Sequence, residues 1–110
     1  MEIHEDERDG IYIFRIVGRA DTGNAITMDS SLHQAVDSGK TKMVLDLSDL
    51  AYISSAGLRT FADILSLNQA KGGDLKLAAI NPKILRIINI IGFDQFFSIY
   101  DSVSDAVDAF

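Results

Sequence analysis

The chain has 110 residues, 47% hydrophobic and 24% charged, which fits a single globular domain over 1–110 and excludes intrinsic disorder. Sixteen Asp or Glu outweigh ten Lys or Arg for a formal charge of -6, and the basic residues are scattered singly. That pattern argues against nucleic acid as a partner, and against insertion into or binding to an anionic membrane. With no Cys, there is no disulfide framework, no thiolate metal site and no thiol chemistry.

Met1 to Glu7 is acidic and carries no apolar run, so it does not read as a secretory signal, and the expected location is the cytoplasm. Asp9-Gly10 marks a turn between segments 3–7 and 11–17, which predicts a hairpin. In the second segment Ile11 and Ile13 share one face, while Tyr12, Phe14 and Ile16 share the other; Gly18 is expected to end it. Asp21, Thr22 and Asn24 offer helix-capping chemistry. Ala25, Met28, Leu32, Ala35 and Val36 follow at helical spacing, and Gly39 stops the helix.

Met43 to Leu47 is a short apolar run of the buried-strand kind. After a loop from Tyr52 to Gly57, the spacing of Leu58, Phe61, Ala62 and Leu65 predicts a helix that begins near Ser54 and Ser55 and ends at Gly72-Gly73. A strand over 75–80 precedes Asn81-Pro82, which reads as an N-cap followed by proline in the first helical turn. Ile84, Ile87, Ile88 and Ile91 form that helix's stripe, and Gly92 closes it. A short strand over 97–100 and a last helix after Ser102 complete the chain. The order β-β-α-β-α-β-α-(β)-α implies a small α/β fold with a mixed, mainly parallel sheet.

Sites in such sheets gather at the carboxyl ends of the parallel strands. Three loops qualify, and they carry Asp21 and Thr22; Ser54, Ser55, Ala56 and Gly57; and Asn81. A serine at a helix start either caps the helix or presents a hydroxyl for phosphorylation, where free backbone N–H groups and the helix dipole favour an anion. Gly57 is read as a place where another backbone approaches closely.

Tyr52-Ile53-Ser54-Ser55-Ala56-Gly57-Leu58-Arg59, after Val44-Leu45-Asp46-Leu47-Ser48, resembles the defining loop of STAS domains, and among them the bacterial anti-sigma-factor antagonists. Gly18-Arg19-Ala20-Asp21, Gly72-Gly73-Asp74-Leu75-Lys76-Leu77 and the segment from Ile90 to Tyr100 resemble further family motifs, so the likeness spans nearly the whole chain. The resemblance implies a partner-switching, non-enzymatic protein. It binds an anti-sigma factor that is also a serine kinase, is released when a loop serine is phosphorylated, and is restored by a serine phosphatase. In the family's Asp-Ser-Ser/Thr-Gly pattern the acceptor follows the Asp. Aligned on Gly57, the acceptor is Ser55, with Ser54 in the Asp position as an alternative acceptor or as the cap, and Ala56 in place of the second hydroxyl. Asp21, Thr22, Ser54, Ser55, Ala56, Gly57, Arg59 and Asn81 form the expected partner surface; Arg59 is either a contact or plain surface. No cofactor or metal is expected.

A hydrolase reading fails because Gly-x-Ser-x-Gly is absent and the two histidines, His4 and His33, have no evident relation to the serines. An aspartate-phosphorylated receiver is not matched either, because the early loop offers only Asp21 as an acid, and Asp46 reads as structural. The alternative is an unphosphorylated STAS adaptor within a transporter or stress-signalling complex. Phe93, Phe96 and Phe97 are read chiefly as packing residues, with a homodimer or partner patch as the other reading, so a monomer or weak dimer is expected.

Overall fold

The computed structural model describes all 110 residues. Strands β1 (Glu2–Arg8) and β2 (Ile11–Ala20) form the expected hairpin, and both turn residues take left-handed φ, 53° at Asp9 and 81° at Gly10. That is the turn whose twist matches a two-residue hairpin. Helix α1 (Ala25–Asp37) follows, then β3 (Lys42–Asp46), β4 (Leu50–Ile53) and α2 (Ser55–Ala70). The remainder is β5 (Asp74–Ala78), α3 (Pro82–Ile90), a 3-10 turn at Phe93–Gln95, β6 (Ser98–Tyr100) and α4 (Val103–Asp108). The sheet runs β1-β2-β3-β5-β6, all parallel except the β1–β2 pair, with β4 added beside β2.

The expected fold class therefore holds, with one strand more. β2 does not end at Gly18. It pairs with β3 through Tyr12–Arg15 and then with β4, from Gly18 opposite Leu50 to Ala20 opposite Ile53, with a register shift at Gly18/Arg19 inside the second pairing. Gly18 makes the shift with φ +103°, a value open to glycine, and its N–H bonds the Asp49 carbonyl at 3.0 Å. Arg15 Nη1 reaches Asp49 Oδ2 at 2.8 Å across the same break. So β3 and β4 behave as one interrupted strand along β2.

The two faces are unequal because the alternation in β2, β3 and β5 feeds two cores. Phe14, Ile16, Met43, Leu45, Leu75 and Leu77 face α1, α2 and α3 in a cluster of 21 buried residues. Fully burying each such side chain contributes about 1.5–3 kcal/mol. Ile11, Ile13, Val44 and Ala78 turn the other way and meet Ala106 of α4. At the β5 entrance, Gly73 lies so close to the Thr41 carbonyl that no side chain could stand there.

Candidate functional site

β2, β4 and β5 run parallel, so their last residues, Ala20, Ile53 and Ala78, point toward the same side of the sheet. The loop after β2 is held by its own polar groups. Asp21 Oδ1 accepts from the Asn24 N–H at 2.9 Å, the Asp21 carbonyl accepts from the Ala25 N–H, and Asn24 Nδ2 donates to the Arg19 carbonyl at 2.7 Å. Asn24 occupies the cap position of α1, yet its side chain does not cap the helix; Asp21 bridges the turn instead. Asp21 and Thr22 are exposed. The Arg19 guanidinium lies 4.5 Å from the ring of Tyr52, its partner across β2–β4.

The loop from Tyr52 to Gly57 is shorter than the sequence implies, because Tyr52 and Ile53 belong to β4 and α2 starts at Ser55. The Ser54 N–H donates to the Ala20 carbonyl at 2.8 Å, which continues the β2–β4 ladder into the helix cap. Ser54 Oγ accepts from the Gly57 N–H at 3.2 Å, and the residue is 7% exposed. This satisfies one of the free donors of the helix start. Ser55, the first helical residue, is exposed and its hydroxyl makes no hydrogen bond within the chain. Arg59 is exposed and Ala56 half-buried.

Gly57 is needed for a different reason than the one expected. A Cβ there would stand 2.8 Å from Ile53 Cγ1 and 3.5 Å from Ala20 Cβ. The close neighbour is a side chain of the preceding strand, not another backbone.

In the third loop, Ala79 takes a left-handed φ of 57°, costly for a residue with a Cβ. Asn81 follows and serves two elements, accepting from the Ile84 N–H at 3.0 Å and donating to the Leu50 carbonyl at 2.6 Å. The first two loops are thus joined directly, while Asn81 joins them only through the start of β4.

A cleft of about 150 Å³ opens between the first turns of α1 and α2, lined by Thr22, Ala25, Ile26, Asp29, Ala56 and Thr60. Thr60 Oγ1 donates to Asp29 Oδ1 at 3.0 Å and closes its floor. Ile26, Asp29 and Thr60 were not among the sequence candidates. Ile26 did carry a signal, since it lies off the Ala25-Met28-Leu32 stripe and is 74% exposed. A larger depression, about 440 Å³, is lined by residues of β1, β2, the end of β3 and the start of α4; its walls include His4 and the charged Asp6, Arg8, Arg15 and Asp46.

His4 lies 3.7 Å from Glu2 on exposed β1, and His33 Nδ1 meets the Asp29 carbonyl at 2.8 Å, so neither ring hydrogen-bonds a serine. No three His, Asp or Glu side chains converge as a metal site. Asp46 Oδ1 accepts from the Ser48 N–H and hydroxyl, the structural part expected of it. The aromatic segment divides: Phe97 is buried, Phe93 half-buried, and Phe96 is 69% exposed beside the exposed Ile90 and Ile91. Packing therefore accounts for two of the three rings. No helix is long and apolar enough to cross a membrane.

The family model described as the STAS domain matches residues 2–106. A relative from Bordetella bronchiseptica, BtrV, named as a candidate anti-sigma factor antagonist, is 34% identical over 110 residues, covering 100% of this chain and 95% of its own. The anti-sigma F factor antagonist of Paenibacillus polymyxa is 24% identical over 108 residues, covering 97% and 92%. Among solved structures, TM1081 of Thermotoga maritima, another candidate antagonist, superposes with a TM-score of 0.92 at 25% identity, covering 97% of this chain and 92% of that one.

Proposed function

Because the chain belongs to the STAS domain family, we propose that it is an anti-sigma factor antagonist, a binding protein rather than an enzyme, whose hold on its partner is controlled at Ser55. The partner is an anti-sigma factor with serine-kinase activity, met in the cytoplasm through the Asp21–Thr22 loop, the first turn of α2 and Arg59. Asn81 acts behind this surface by fixing β4.

The observation that carries the assignment is the division of labour between the two serines. Ser54 is buried and its oxygen is engaged by the Gly57 N–H, so it serves as the cap. Ser55 is exposed and free of intrachain hydrogen bonds. In the modifying step the Ser55 hydroxyl gives up its proton. An Oγ–P bond forms to the terminal phosphoryl of a nucleoside triphosphate held by the kinase, and the bond to the departing diphosphate breaks. A serine phosphatase reverses the change by hydrolysis.

The product carries about -1.5 to -2 charges at a surface already rimmed by Asp21. Misplaced charge at an interface costs several kcal/mol, and each 1.4 kcal/mol is tenfold in affinity. The test is capture of partners from host lysate with wild type, Ser55→Ala and Ser55→Asp, joined to site mapping of phosphate by mass spectrometry. Wild type and Ser55→Ala retain an ATPase-fold serine kinase and Ser55→Asp loses it. Phosphate mapped to Ser54, or transporter components recovered equally with all three baits, overturns the reading.

A further inference from the structure

Ser55 and Arg59 are four residues apart in α2, both exposed. Residues at this spacing are neighbours on a helix surface, with Cβ atoms about 5–6 Å apart. Arg59 forms no ion pair and lies over no aromatic ring. By contrast Arg15, Lys40 and Lys76 are each held at 2.8 Å by Asp49, Glu5 and Asp74, and Arg19 is held by Tyr52. Asp63, four residues further on and also exposed, does not engage Arg59. That arrangement places the cation N-terminal to the anion, the weaker order for a helical pair. A phosphate on Ser55 would stand four residues before Arg59, the stronger order. The first turn of α2 holds no acidic residue that would compete.

We infer that Arg59 is the intramolecular counter-ion of phosphorylated Ser55. The guanidinium fork matches two phosphate oxygens, which a point cation does not. Phosphorylation then changes the surface twice at one place: the free hydroxyl is lost, and the unpaired cation is drawn from the docking surface onto the phosphate. This rests on Ser55 as the phosphoacceptor, but its test does not need a host kinase.

The test uses the full chain with phosphoserine installed genetically at position 55, as Arg59, Arg59→Lys and Arg59→Gln, followed by phosphorus NMR against pH. The second ionisation of a free phosphoserine lies near pH 6. Helix effects on it are common to all three proteins, so differences among them report the side chain at 59. We expect the Arg59 protein to ionise at a pH lower by about half a unit or more than Arg59→Gln, with Arg59→Lys between them. The gap should shrink in ~1 M salt, where the Debye length is about 3 Å. Equal ionisation of the Arg59 and Arg59→Gln proteins, or the same shift on changing the remote exposed Arg86 to Gln, overturns the inference. Failure to find phosphate on Ser55 in cells would overturn the phosphoacceptor assignment while leaving this pairing intact.

Discussion

The side-chain amide of Asn81 donates to the main-chain carbonyl of Leu50 at 2.6 Å while its oxygen caps α3 at Ile84. One side chain thus fastens the start of α3 to the start of β4, the strand that delivers Ser54 and Ser55. Asn81→Ala removes both bonds and leaves a half-buried carbonyl and N–H unpaired. We expect a loss of about 1–3 kcal/mol in urea unfolding. Asn81→Asp keeps the cap but sets a carboxylate oxygen against the carbonyl, so it should fail to restore stability. An Asn81→Asp protein as stable as wild type would show that the Leu50 bond contributes nothing.

The two serines should separate in stability as they do in geometry. Ser54→Ala loses the acceptor for the Gly57 N–H, at about 1 kcal/mol for a cap of this kind. Ser55→Ala removes an exposed hydroxyl with no intrachain partner and should lie within about 0.5 kcal/mol of wild type. Thermal unfolding of the two variants side by side decides the matter, and the reverse order would make Ser55 the cap.

Much of this arrangement was legible before the structure. The hairpin, four helices and buried strands follow from period-2 and period-3.6 patterns, and Asn81-Pro82 announces α3. β4 was not legible, for a physical reason. It has four residues, of which only Leu50 and Ile53 are buried, a spacing of three that breaks the period-2 alternation of a strand and is too short to read as a helix. Its partner is the end of β2 from Gly18 to Ala20, a relation set by tertiary pairing. The same blindness hid the roles of the serines. Which one caps α2 depends on where β4 ends, and that is fixed by the Ser54 N–H on the Ala20 carbonyl. Asp29 and Thr60 meet 31 residues apart in sequence, and nothing local announces such a pair.

Gly57 supplies a sharper test of the strand–helix junction. In Gly57→Ala the new methyl would stand 2.8 Å from Ile53 Cγ1, closer than packed carbons tolerate. Overpacking of this sort costs about 1–3 kcal/mol, against a helix-propensity gain of up to about 1 kcal/mol. We expect net destabilisation. Ile53→Ala removes Cγ1, so on that background Gly57→Ala should be neutral or stabilising. A double-mutant cycle with no coupling between 53 and 57 would refute the contact.

The hairpin carries a pH response of its own. Tyr12 faces Glu7 across β1–β2, and the Glu7 carboxylate, as hydrogen-bond acceptor and as a like charge to the phenolate, holds the Tyr12 hydroxyl above its ordinary value of 10.0. Partial burial and Glu5 push the same way, and the Lys40 ammonium, 5.5 Å from the ring, pulls against them. The folded state therefore keeps this proton when the unfolded chain has lost it. The associated stability is complete below pH 10 and declines as pH rises from there through the folded value. Glu7→Gln takes away the like charge, so Tyr12 should ionise earlier and the alkaline decline should flatten. Phenolate absorbance against pH, with Tyr12→Phe to separate Tyr12 from Tyr52 and Tyr100, reads the first effect, and urea unfolding above pH 10 reads the second. Identical titrations for wild type and Glu7→Gln would mean that the two side chains, though paired in register, do not sense each other.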